Sequence, residues 1–152
     1  MPGLFYPIGM VRTKIFVDIL KLEDQLRGAG RLIVTPEHTK GHFKPELGIS
    51  LLPGSAMIEA AAQTLGLIAL GGKLETDSMP LFQGISGPVE YKNTAKPGDI
   101  LTINGQITEK SRRGFRGNVA IVNQDNKDVA FINGIEAGVL KLQVAKRLMG
   151  IK

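Results

Sequence analysis

With 152 residues, 43% of them hydrophobic and 22% charged, the chain is sized and composed for a single domain over 1–152 with one substantial core, and it excludes a disordered polyelectrolyte. The absence of cysteine excludes disulfides and thiolate chemistry, and two histidines, His38 and His42, are too few for a His-rich metal cage. The net charge of +5 draws on Lys141, Lys146, Arg147 and Lys152 and on Arg112, Arg113 and Arg116, which form either a solvated face or an attraction for a polyanion.

In chain order, residues 1–10 lack a basic start and are broken by Pro2 and Pro7, so no signal peptide is expected. Residues 13–22 and 30–35 read as strands, and residues 36–50, with Pro36, Gly41, Pro45 and Gly48, as a loop. A helix is then predicted from Pro53 to Leu70. Ser50 is its candidate N-cap, Pro53 suits its first turn, and Gly71-Gly72 forms its stop. Pro53, Gly54, Glu59 and Gln63 interrupt the apolar run from Leu51 to Leu70, so no membrane span is expected.

Residues 81–91 read as one strand, leading to a turn at Lys96-Pro97-Gly98-Asp99. Strands 100–110, 115–122 and 128–140 follow, separated by turns at Ser111–Gly114 and Asp125–Lys127. The predicted helix is apolar on nearly every side, which marks it as buried. An α+β architecture, with one long buried central helix wrapped by a curved antiparallel sheet, satisfies both patterns.

Ser55, Glu59 and Gln63 fall four residues apart and share one face of that helix as a narrow polar stripe. A carboxylate among Ala56, Met57, Ala60, Ala61 and Leu65 is costly to ionise, which suits a general acid near neutral pH. It also suits a structural ion pair with a buried Lys or Arg, or a position at the helix edge, and the helix pattern does not separate these. Taken alone, His42 reads as an ordinary loop or core histidine sooner than as a proton-transfer group, for which histidine is also suited. The Pro53-Gly54 helix start offers a free N–H at the positive dipole end, suited to a polarised carbonyl. A base, an acid and a carbonyl donor together suit removal of a proton beside a carbonyl with loss of a hydroxyl.

Gly41-His42-Phe43, Pro53-Gly54, Glu59-Ala60, Ala62 and Gln63 resemble the active-site segment of the FabZ-type 3-hydroxyacyl-acyl carrier protein dehydratases, which have the hotdog fold. The stretch 15–24 resembles their first strand, and 80–101 resembles their strand, turn and Pro-Gly-Asp signature. The interval from Pro53 to Gln63 matches their pattern position for position, while the 17 positions from His42 to Glu59 are three more than it has.

The resemblance implies that His42 is the base and that Glu59, from the neighbouring subunit, is the acid that protonates the departing hydroxyl. Gly54 would hold the thioester carbonyl through its N–H, and Gln63 would support the carboxyl. It implies a cytoplasmic homodimer or a larger assembly of dimers, an acyl carrier protein as partner, and neither cofactor nor metal. Arg112, Arg113 or Arg116 is expected to help dock that acidic carrier. Nucleic acid is not an expected partner, because only 5% of residues are aromatic, none is Trp, and no recognition motif appears. Within the same fold, an acyl thioesterase or a non-catalytic acyl-thioester-binding protein is the alternative.

Overall fold

The computed structural model describes residues 17–24, 26–39, 43–44, 48–71 and 78–150. The described strands are β1 (Asp18–Leu22), β2 (Arg27–Ile33), β3 (Phe43–Lys44), β4 (Ile49–Ser50), β5 (Ser78–Ile85), β6 (Val89–Tyr91), β7 (Ile100–Ser111), β8 (Gly114–Val122) and β9 (Asp128–Lys141). A long helix α1 (Gly54–Ala69) follows β4, and a short helix α2 (Leu142–Leu148) follows β9. Seven strands form one antiparallel sheet in the order β1-β2-β7-β8-β9-β5, with β6 also on β9; β3 and β4 form a separate two-stranded ladder.

The long strands β7 and β8 bury every second residue, as period-2 alternation requires when one face packs on a core. On β7 the inward residues are Leu101, Ile103 and Ile107, and on β8 they are Phe115, Val119 and Ile121. Helix α1 lies against this face, and Ser55 is its only fully exposed residue. Leu65 and Ile68 have no solvent exposure, and burial of such side chains stabilises by about 1.5–3 kcal/mol each. This is the buried-helix-on-sheet arrangement of the hotdog fold.

Glycines of the sheet seat the helix closely. A Cβ at Gly105 would lie 2.8 Å from the Ile68 side chain, one at Gly117 3.0 Å from Leu65, and one at Gly30 2.8 Å from the Thr64 hydroxyl. That explains one difference from the sequence expectation. The strand expected from residue 30 begins at Arg27, because Gly28 and Gly30 let β2 pass under the helix.

Other boundaries also shift. The strand expected over 81–91 is two, β5 and β6, broken at Ser86-Gly87-Pro88. There β9 bulges at Gly134, held at φ 69° with its N–H donating to the Asn118 side chain at 2.8 Å. Ser50 is not the helix N-cap: it pairs with Phe43 in the short ladder, and Pro53 occupies the cap position in extended conformation with no side-chain cap. At the other end Gly71, at φ 67°, donates its N–H to the Ile68 carbonyl, as the predicted stop requires. The turn at Lys96–Asp99 is also as expected. Gly98 takes φ 98°, and the buried Asp99 carboxylate accepts from the Lys96 N–H and the Gln124 amide, both at 2.9 Å.

Candidate active site

The polar stripe of α1 runs from solvent into the core. Ser55 is exposed, Glu59 is half-buried, and Gln63 is 3% exposed. Gln63 donates from its amide nitrogen to the Glu59 carboxylate at 3.1 Å, and its amide oxygen accepts from the Val17 N–H at 3.2 Å. The amide thus ties the carboxylate to the entry of β1, and the four-residue spacing makes this contact possible within one helix face. Among the described residues no lysine or arginine pairs with Glu59, so the structural ion pair is not what holds this acid.

At the start of α1, Ala56 and Met57 both donate to the Pro53 carbonyl, at 3.0 and 3.3 Å. The N–H groups of Gly54 and Ser55 have no acceptor among the described residues, as the first turn of an uncapped helix leaves them. They point out of the positive end of the helix dipole, where an oxygen carrying partial negative charge is favoured. Glu59 stands little more than one turn further along the same helix.

Position 54 is a glycine for a steric reason that the sequence does not display. A Cβ there would lie 2.6 Å from the hydroxyl oxygen of Tyr91 and 2.7 Å from its ring carbon Cζ. Tyr91 ends β6, and beyond it the Ala95 carbonyl accepts from the Leu52 N–H at 2.7 Å, so the segment after the strand is bonded to the segment before the helix. Sequence reasoning missed Tyr91. No local motif marks it, and the contact exists only because β6 and α1 meet in space.

His42 lies outside the described residues. Its neighbour Phe43 pairs with Ser50 across the β3–β4 ladder, which folds the longer His42–Glu59 interval back on itself.

The three arginines sit apart from this site. The β7–β8 turn adjoins the other end of α1, where the Lys110 ammonium donates to the Ala69 carbonyl at 2.9 Å. Arg116 binds the Glu136 carboxylate at 2.6 Å and Glu109 at 3.5 Å, which offsets its charge locally. Arg112 and Arg113 are exposed and make no ion pair among the described residues. A groove of about 440 Å³ adjoins them, lined by Gln83, Glu109, Lys110, Arg113, Arg116 and Glu136 among others.

No protein-family model matches the chain. Curated relatives do. A 3-hydroxyacyl-(acyl-carrier-protein) dehydratase FabZ of Bacillus pumilus is 35% identical over 123 residues, covering 79% of this chain and 76% of the relative. The FabZ of Erwinia tasmaniensis is 32% identical over 121 residues, covering 76% of each chain. Among solved structures, a Streptococcus mutans protein bound to acetyl CoA superposes with a TM-score of 0.60 at 18% identity, over 90% of this chain and 96% of that one. A thioesterase superfamily member of Thermus thermophilus gives 0.65 at 16% identity, over 86% and 93%. These two establish the hotdog fold, and the sequence relatives establish the lineage within it: the chain belongs to the FabZ family of 3-hydroxyacyl-(acyl-carrier-protein) dehydratases.

Proposed function

We propose that the protein dehydrates 3-hydroxyacyl thioesters, carried on acyl carrier protein, to trans-2-enoyl thioesters in fatty acid synthesis. The observation that carries this reading is the Glu59 carboxylate, half-buried in an apolar helix, oriented by Gln63 at 3.1 Å and unpaired with any described cation. A carboxyl oriented in this way can deliver a proton to a departing hydroxyl. His42 takes the proton from the carbon beside the carbonyl, and the Gly54 N–H holds the carbonyl oxygen as negative charge gathers there. The bond from that carbon to hydrogen and the bond from the third carbon to oxygen both break, a double bond forms, and water leaves.

The names of the sequence relatives support the substrate class. The acid and base belong to different subunits of a homodimer in this reading, and the setting is cytoplasmic. Among the described residues no helix is long and apolar enough to cross a membrane. The exposed Arg112 and Arg113 are the candidates for docking the acidic carrier, and Arg116 contributes less because Glu136 and Glu109 hold it. Charge reversal at Arg112 and Arg113 weakens the salt dependence of carrier-linked turnover, and an unchanged salt dependence removes them from the docking surface.

Thioester hydrolysis is the second reading, since thioesterases are among the structural neighbours and a carboxylate can also activate water. The test is product analysis with a trans-2-enoyl thioester. Hydration with the chain still on its thiol supports the dehydratase. Released thiol supports the hydrolase, and binding without either product supports an acyl-thioester-binding protein.

A further inference from the structure

We infer that the Tyr91 hydroxyl is a second hydrogen-bond donor to the thioester carbonyl, acting beside the Gly54 N–H. The inference rests on the dehydratase reading for the identity of the carbonyl, and on the following geometry for its place.

In a helix every Cα–Cβ bond tilts toward the N-terminus. An atom 2.6 Å from the position of a Gly54 Cβ therefore lies beside the first residue of the helix, where the N–H groups of Gly54 and Ser55 have no acceptor among the described residues. The Tyr91 hydroxyl is that atom. It makes no hydrogen bond with any described residue, although Glu90 and Lys92 on either side of it pair with each other at 2.9 Å.

The backbone that carries the tyrosine is also held in place. The Tyr91 backbone is paired with Ala130 on β9, Lys92 donates to the Val129 carbonyl at 2.8 Å, and Leu52 donates to the Ala95 carbonyl at 2.7 Å. The segment after the strand is thereby bonded to the segment before the helix, and a carbonyl that approaches Gly54 also meets Tyr91. Side-chain exposure of 50% leaves the hydroxyl reachable from solvent. Burial of the remainder pushes the phenol above its ordinary value of 10.0, so it keeps its proton and can donate across the physiological range. It gives up no proton in the reaction; it stabilises charge that develops on the carbonyl oxygen.

A purely structural tyrosine would seat Gly54 with its ring and leave the hydroxyl idle. Tyr91→Phe separates the two roles, because it keeps the ring against Gly54 and removes only the oxygen. The expected result is a fall of about ten- to a hundredfold in kcat/KM for enoyl thioester hydration, carried by kcat, with thermal unfolding unchanged. A second readout does not need turnover. A saturated acyl thioester, labelled with carbon-13 at its carbonyl and bound to the protein, should show its C=O stretch at lower frequency in wild type than in Tyr91→Phe. Wild-type kinetics in the variant would overturn the inference. So would an identical carbonyl band in the two proteins, even if activity were lost. If wild-type protein performs no dehydration, the functional reading falls by itself, and the band comparison still decides whether Tyr91 touches the thioester.

Discussion

Replacing Gln63 with leucine removes the side chain that, among the described residues, joins the candidate acid to the body of the fold. Gln63 is 3% exposed and Val17 is 4% exposed, so the Val17 N–H loses its acceptor in a place water does not reach. An orphaned buried donor costs about 1–3 kcal/mol. The half-buried Glu59 carboxylate finds water in place of the amide and adds little to that cost. Leucine fills a similar volume and returns about 1 kcal/mol through apolar burial. The net loss is at most about 2 kcal/mol, equivalent to a fall of no more than roughly 8 °C in Tm for a domain of this size. Activity falls further than stability does, because a carboxyl free to rotate misses the leaving oxygen, and a displacement of about 1 Å costs about a hundredfold in rate. Thermal unfolding followed by circular dichroism, and initial rates followed by the ultraviolet absorbance of the conjugated enoyl thioester, measure the two effects separately. A Gln63→Leu protein with full turnover would refute the positioning role. One with a Tm well above wild type would refute the bridge to Val17.

Gly54→Ala brings a methyl group to within 2.6 Å of the Tyr91 hydroxyl, which is the far end of a half-exposed ring and can swing aside. Stability should therefore change by less than about 1 kcal/mol while turnover falls at least about tenfold; equal losses in both would contradict this. Leu65→Ala, at a site with no solvent exposure under Gly105 and Gly117, should cost about 3–4 kcal/mol in urea unfolding, and a cost below about 1 kcal/mol would place the core elsewhere. The chain holds two tyrosines, so alkaline absorbance titration of wild type against Tyr91→Phe isolates Tyr91. Its midpoint should lie above 10.0, the unfolded value. Because the folded state holds that proton more tightly, the associated stability is present below pH 10.0 and is lost as pH rises through the folded value. A midpoint at or below 10.0 would contradict the burial of the phenol.

Most of this architecture is legible in the sequence because its signals are local and periodic. The alternation of β7 and β8, the all-round apolar helix and the Pro97-Gly98 turn each follow from a few neighbouring residues. The Glu59–Gln63 contact was legible for the same reason, since helical spacing alone makes the two side chains neighbours. What was not legible depends on distant partners. Arg27 to Ala29 fall outside the strand expected at 30–35 until α1 is laid across Gly28 and Gly30. Ser50 looks like a helix cap until Phe43 pairs with it. The close approach of Tyr91 to Gly54 has no signature at all along the chain. Arg116 counted toward an exposed basic cluster in the sequence, yet strand register sets Glu136 opposite it.

The most direct test is Glu59→Gln. The substitution keeps size and shape and removes only the ability to donate the acid's proton, so the fold should be unchanged. The dehydratase reading predicts that conversion of a 3-hydroxyacyl thioester to the trans-2-enoyl thioester falls by about a hundredfold or more, with substrate binding retained. Turnover at the wild-type rate in that variant would contradict it, because the acid held by Gln63 would then have no part in the chemistry.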